Sequence, residues 1–321
     1  MINKINTLSK EFLSTKKTLK NEYYKSFTYS KYNNSLEVIF DTTDNFLFEK
    51  IILADRKTIL EYINLYKKYL SNNGFKHLSI EALQKKYPQD IIFVELLKLH
   101  NFYDSFSKDW NYKIVKTLNI KACLYCNRES ILYFNGNSTT AEIDHFYPRS
   151  LYPFLSISFH NLIPSCKTCN SKFKGARDTD INKILYPYQE SLHHNIHFKY
   201  DGIKSLNNLK NKKLNFFDES RVDFSINAVN DNKIAIEHIE LFKLKVLYDE
   251  HKDTIVELLQ KRVIYSDSYI DELLNKYEGT LFKNKEDLLR LITCGYVNDE
   301  DINKRPLSKL IKDISEELKL I

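Results

Sequence analysis

The sequence predicts an α+β protein, mostly helical, with a small cysteine-bearing centre between helical flanks. Three observations predict it. Apolar residues recur at helical spacing along much of the chain, as at Ile59, Ile63, Tyr66 and Leu70. Residues 121–176 break that rhythm with short strand-like runs. Four of the five cysteines fall in that same segment, as two C-x-x-C pairs: Cys123 with Cys126, and Cys166 with Cys169.

The chain has 321 residues, enough for one large domain or two ordinary ones. With 43% hydrophobic and 28% charged residues it has the composition of a folded globular protein rather than a disordered one. Six Gly and six Pro argue against long flexible linkers. No stretch of apolar residues reaches transmembrane length, so a membrane-spanning helix is not expected. The opening MINKINTLSKEFLSTKKTLK lacks the apolar core of a signal peptide, and a cytoplasmic location is the expectation. The net charge of +6 is uneven. Residues 1–200 hold 28 Lys and Arg against 19 Asp and Glu, whereas residues 201–321 hold 20 against 23. A basic front portion suits a polyanion such as nucleic acid, although biased composition alone produces such imbalances.

In chain order, residues 1–30 read as polar helix. SLEVIF (35–40) and NFLFEKIIL (45–53) read as strands joined by the turn-like DTTD. From Asp55 the pattern is helical, and Ser79 is placed to cap another helix. IIFVELLKLHNFYDSF continues as a buried helix, and WNYKIVKTLNI leads into the first cysteine pair. In the centre, Thr139 to Asp144 forms a short strand, a second begins at Asn161, and a helix runs from Cys166 to Gly175. KILYPYQESLHHNIHFKYDG reads as loop and strand, and residues 229–262 as one long helix with a stripe of Leu241, Leu244, Tyr248, Ile255, Leu258 and Leu259. Further helices are expected at 267–277, 285–293 and 306–319. Cys294, within LLRLITCGYV, is expected to be a buried core thiol. The expected divisions are an N-terminal α+β region at 1–115, a central module at 116–180, and a mainly helical C-terminal region at 181–321.

Two C-x-x-C pairs supply four thiolates, the ligand count of a closed tetrahedral zinc site. Redox chemistry is the rival reading, but it needs one pair and leaves the second unexplained. The 39 residues between the pairs exceed a compact zinc ribbon, so something is inserted between the knuckles. On the helix that follows, Cys166, Cys169, Asn170, Phe173 and Lys174 share one side. Zinc would therefore hold Asn170 in register against the strand bearing Asp144 and His145. Asp144 and Asn170 offer hard oxygens suited to Mg²⁺. His145 can take a proton from water near neutral pH. Asn161 would tie down the loop and orient the His145 ring. A base, a hard cation and a basic surface are together what phosphodiester hydrolysis requires.

The string C-x-x-C, then E-I-D-H-x-x-P, then H-N-L-I-P-S-C-x-x-C-N-x-K resembles the HNH endonuclease family, whose fold is the ββα-metal module. The resemblance covers about residues 121–176. It implies His145 as general base, Asp144 and Asn170 as ligands of a catalytic Mg²⁺ or similar cation, and Asn161 as the loop-orienting residue. It also implies the four cysteines as structural zinc ligands. Many members have His at the last metal position; Asn170 here is similar to HNN-type variants. CLYCNRES, FYPRSLYPFLSISFHNLIPSC and KRPLSKLIKDI further resemble bacterial HNH proteins associated with defence against phage or plasmids, some of which work beside an ATPase partner.

Glu142 reads as a strand-face salt bridge and is left outside the metal site. His160 reads as structural or solvated. Arg149, Lys172, Lys174 and Arg177 surround the motif and could contact phosphates. His193, His194 and His197 read as surface histidines. The expected function is a metal-dependent nuclease acting on nucleic acid, DNA foremost. The alternative is a non-catalytic zinc-stabilised subunit that binds nucleic acid or docks an ATPase partner through its helical C-terminal half.

Overall fold

A computed structural model describes residues 1–18, 29–134, 138–203 and 222–321. The expected helix at 1–30 is present as α1 (Ile2–Thr18), and its remainder lies partly outside the described residues. The described structure is mostly helical with three two-stranded sheets. Among the described residues no helix is long and apolar enough to cross a membrane. The chain forms two compact units. One comprises Met1–Asn119, Tyr133–Asn170 and Gly175–Asn182; the other comprises Ile120–Leu132, Ser171–Lys174 and Lys183–Ile321.

The first unit corrects one expectation at once. The segments expected as strands are helices, α2 (Tyr29–Phe40) and α3 (Leu47–Leu53), so the described N-terminal region is helical and not α+β. Tyr32, Leu36, Ile39 and Phe40 of α2 recur at helical spacing and are all buried. The turn between the helices is held by α2 side chains: Asn33 Nδ2 donates to Asp44 O (2.8 Å), and Glu37 Oε1 accepts from Asp44 N (2.8 Å). Burial of that helical face overrides the β preference of Ile39 and its neighbours.

Helix α4 (Arg56–Asn72) starts at Asp55, whose side chain accepts from Thr58 N, and buries Ile59, Ile63, Tyr66 and Leu70. Helix α5 (Ile80–Lys86) is capped by Ser79. Helix α6 (Ile91–Leu118) starts where Asp90 accepts from Ile92 N and Phe93 N, and ends at Asn119 in the left-handed region. Its buried face includes Leu99, His100, Tyr103, Phe106 and Trp110.

After a small ladder of β1 (Tyr133–Phe134) and β2 (Ser138–Thr139), strand β3 (Glu142–His145) pairs antiparallel with β4 (Leu162–Ser165). The register sets Glu142 opposite Ser165, Asp144 opposite Ile163 and His145 opposite Leu162. The helix that follows is a π-helix, Thr168–Lys174. It ends at Gly175, whose N–H donates to Asn170 O (2.7 Å). Gly175 has φ 53° and ψ −139°, a combination that suits a residue without Cβ.

In the second unit a single turn, α7 (Leu192–Asn195), leads into β5 (Ile196–Ile203), which pairs antiparallel with β6 (Val222–Ala228). The expected long helix is three helices: α8 (Lys233–Leu241), α9 (Leu244–Asp249) and α10 (Lys252–Ile264). The first break has a packing cause. Phe242 is buried and stacked on Tyr125 at 4.7 Å, and Lys243 then turns through the left-handed region at φ 48°. Leu244, Tyr248, Ile255 and Leu258 of the expected stripe are still buried. Helices α11 (Asp267–Tyr277), α12 (Lys285–Thr293) and α13 (Ser308–Glu317) stand close to their expected positions. In α13 the buried pair Lys309–Asp313 (2.6 Å) also accepts the Phe198 N–H of β5 at Asp313 Oδ2 (2.8 Å). Cys294 is exposed, not a core thiol. The chain turns there at φ 61°, and Leu288, Leu289, Ile292 and Thr293 already supply the buried face of α12.

Candidate active site

The β3–β4 hairpin, the π-helix start and α6 together line a cavity of about 370 Å³. Asp144, His145, Arg149 and Asn170 reach it from the central segment, and His100 and Tyr103 reach it from α6. A larger hollow beside Lys31, Val38 and Ile91 is lined by one carboxylate, Glu95, and no histidine, so chemistry rather than size selects the site.

Asp144 and His145 end β3 and are 3% and 8% exposed. His145 Nε2 lies 2.8 Å from Ser156 O. A carbonyl only accepts, so Nε2 carries the proton and Nδ1 keeps the basic lone pair. The Tyr103 ring meets the imidazole edge-to-face, with centroids 4.3 Å apart. Tyr103 OH donates towards Asn111 Oδ1 (3.3 Å), and burial raises its pKa above the usual phenol value.

Asn161 is fully buried and outside the cavity. Its Oδ1 accepts from Tyr147 N (2.8 Å), and its Nδ2 donates to Tyr147 O (3.0 Å) and Leu155 O (3.3 Å). It thus closes the loop that carries Ser156 O, and reaches His145 through that carbonyl. Asn170 is half-buried, and its Nδ2 donates to Glu142 Oε2 (3.0 Å).

Arg149 is held firmly. Its Nη1 donates to His100 O (2.7 Å), its Nη2 pairs with Asp104 (3.1 Å), and its guanidinium lies over the Tyr103 ring at 4.9 Å. His100 pairs with Glu81 (3.3 Å); burial first, then the charge of Arg149, lowers its pKa. Lys172 and Arg177 are exposed and outside the cavity lining. Lys174 is 1% exposed, which corrects its expected place on a phosphate-binding surface. The reason lies in the sequence itself: Lys174 shares the inward side with Cys166 and Asn170.

Cys123, Cys126, Cys166 and Cys169 are buried, and their sulfurs lie within 4.8 Å of one another. Backbone N–H groups approach two of the sulfurs, Arg128 N to Cys126 Sγ (3.5 Å) and Cys169 N to Cys166 Sγ (3.4 Å). Four buried thiols of this spacing fit a tetrahedral zinc with bonds of about 2.3 Å. The hard oxygens of Asp144 and Asn170 at one cavity likewise fit a hard divalent cation. A further group, His193, His194 and Asp299, also lies within 4.8 Å. It reads as an ion-pair network: Asp299 is 2.6 Å from His193 and 3.0 Å from Lys312 Nζ, and a lysine so close opposes a cation. His197 stands apart, beside Asp313 and Glu317.

Sequence reasoning passed over Tyr103 and His100, and set Glu142 aside as a strand-face salt bridge. The first two sit on an apolar helix face that carries no motif. Glu142 had a signal in the two-residue period that sets it on the same strand face as Asp144.

Residues 123–175 match the family model described as HNH endonuclease. The chain carries an HNH endonuclease domain. The chain is homologous to Septu protein PtuB of Bacillus thuringiensis, at 30% identity over 104 residues, or 31% of this chain and 38% of that protein. It is also similar to protein ea31 of Escherichia phage lambda, at 33% identity over 95 residues, or 29% of this chain and 31% of that protein. The chain spans about a third of the length of these curated relatives. No solved structure matches.

Proposed function

We propose that this protein is a metal-dependent nuclease that hydrolyses phosphodiester bonds of DNA, with its chemistry in residues 116–180. The observation that carries the reading is the meeting of Asp144, His145 and Asn170 at one cavity, with the His145 tautomer set by Ser156 O. His145 Nδ1 takes a proton from the attacking water, and the Nε2–H bond keeps the ring in place as the imidazolium forms. Asp144 and Asn170 Oδ1 would hold Mg²⁺. Such an ion supplies charge stabilisation for the phosphoryl group and the leaving oxygen. Arg149, fixed over Tyr103, is placed to receive a phosphate oxygen. The four cysteines hold a structural zinc.

The likeness to Septu protein PtuB supports a place in defence against phage or plasmids; an ATPase subunit as the partner is carried over from the resemblance to bacterial HNH proteins, some of which work beside one. We assign the docking of that partner to the helical region 181–321, and a cytoplasmic location accords with such a role.

The test is cleavage of supercoiled plasmid by zinc-loaded wild type and His145→Ala, with Mg²⁺ and with EDTA. Wild type is expected to cut and EDTA to stop it. The variant is expected to keep its zinc and lose about two to four orders of magnitude of rate, the usual worth of a general base. A variant that cuts at the wild-type rate would remove His145 as the base.

A further inference from the structure

We infer that Glu142 is a positioning residue for the divalent cation: its carboxylate turns the Asn170 amide so that Oδ1, and not the NH₂, faces the cavity beside Asp144. The inference rests on the metal-dependent reading above and adds a residue to it.

Both side chains hang from pinned backbone. Glu142 O accepts from Ser165 Oγ (3.0 Å) within the β3–β4 ladder. Asn170 N donates to Cys166 O (3.0 Å), and Asn170 O accepts from Gly175 N (2.7 Å). Between these anchors, Asn170 Nδ2 lies 3.0 Å from Glu142 Oε2. An ionised carboxylate only accepts, so the amide must offer it the NH₂ end. An amide has two ends, and Oδ1 is therefore the end turned away from Glu142. Asn170 lines the cavity and Glu142 stands behind it.

The orientation matters because the two ends have opposite uses. Oδ1 is a hard donor to a divalent cation, whereas an NH₂ group there would repel it. Without a fixed acceptor the amide can take either orientation. Histidine at this position would need no such guide for an oxygen, so the asparagine and the glutamate belong together as one device. A bonding partner behind a ligand typically changes metal affinity by about 10–100-fold.

The test is Mn²⁺ binding to the zinc-loaded full chain, followed by electron paramagnetic resonance, for wild type, Glu142→Ala, Glu142→Asp and Glu142→Gln. Zinc content and melting temperature are measured on each. Glu142→Ala is expected to weaken Mn²⁺ binding about tenfold or more. Glu142→Asp keeps the charge but loses the reach, and should weaken it comparably. Glu142→Gln can present either an oxygen or an NH₂ to Asn170, so it no longer fixes the amide and should weaken binding by more than about twofold, though less than Glu142→Ala. If Glu142→Ala loses its zinc, the Asp and Gln variants decide. Binding unchanged in Glu142→Ala and Glu142→Asp overturns the inference and leaves the nuclease reading standing. A Glu142→Gln variant that binds as wild type does also overturns it, because a partner that can donate as well as accept would then serve as well as the carboxylate. Absence of Mn²⁺ binding by wild type overturns both the inference and the metal assignment.

Discussion

His145 and Asn161 are linked through the loop that carries one carbonyl. Ser156 O receives the imidazole Nε2–H, and Asn161 closes the loop that presents it with three side-chain hydrogen bonds. Replacing Asn161 by Asp keeps the size and the bond from Tyr147 N. It also turns a carboxylate oxygen towards two carbonyls, Tyr147 O and Leu155 O. Leaving buried polar groups unpaired costs about 1–3 kcal/mol each. A loop shifted by about 1 Å can cost about 10²-fold in rate. Asn161→Asp is therefore expected to lower stability in urea by about 2 kcal/mol or more, and cleavage by about 10²-fold. A fully active, fully stable Asn161→Asp would show that the amide does not hold the loop. The sequence grouped Asp144, His145, Asn161 and Asn170 because their spacing is local to two short strands and a helix. It missed Tyr103, which lies 42 positions before His145, because nothing in an apolar helix face names its partner.

At the scale of elements, α8 is tied to the first cysteine knuckle by a buried histidine. His238 is fully buried, and its Nε2 donates to Tyr125 O at 2.8 Å. Burial, only partly offset by the bond to Tyr125, pushes its pKa down to about 4 from the usual 6.5. The folded state thus prefers the neutral ring. As pH falls through 6.5 the unfolded chain takes the proton first, so this stabilisation is complete above that value and is lost as pH approaches about 4. By pH 5 the loss amounts to about 2 kcal/mol. His238→Gln keeps a donor for Tyr125 O and does not titrate. The difference in urea stability between wild type and His238→Gln should therefore change by about 2 kcal/mol between pH 7 and pH 5. Parallel pH profiles would show that His238 is not held neutral. Elements were unevenly legible. The α4 stripe from Asp55 onward and the Ser79 cap of α5 were readable because each signal lies within its own helix. The helical state of residues 35–40 and 47–53 was not. It depends on Asn33 and Glu37 closing a turn and on a buried face that a hairpin would lack.

The four cysteines act at the scale of the whole molecule. Structural zinc in small motifs binds with about 10–16 kcal/mol of apparent free energy. A folded domain has a net stability of only about 5–15 kcal/mol. Cys169→Ser is therefore expected to lose zinc and unfold the central module, with near-complete loss of its cooperative melting transition. A folded, zinc-free Cys169→Ser protein would reduce the zinc to an accessory. A strong chelator should act on the wild type as the mutation does.

The sequence by itself determined the parts whose signals are local. The two C-x-x-C pairs, the E-I-D-H and N-L-I-P-S-C runs, the α4 stripe and the Gly175 stop are all read over a few residues, because ligand spacing, strand period and helix period are short-range. Tertiary structure alone decided the rest. It placed Tyr103 and His100 at the cavity, put Glu142 behind Asn170, buried Lys174, exposed Cys294 and broke the expected long helix at Phe242. Each of these depends on which distant surface a side chain meets. That is settled by burying apolar area and satisfying buried polar groups across the fold, and such energies are not written in any short window of the chain.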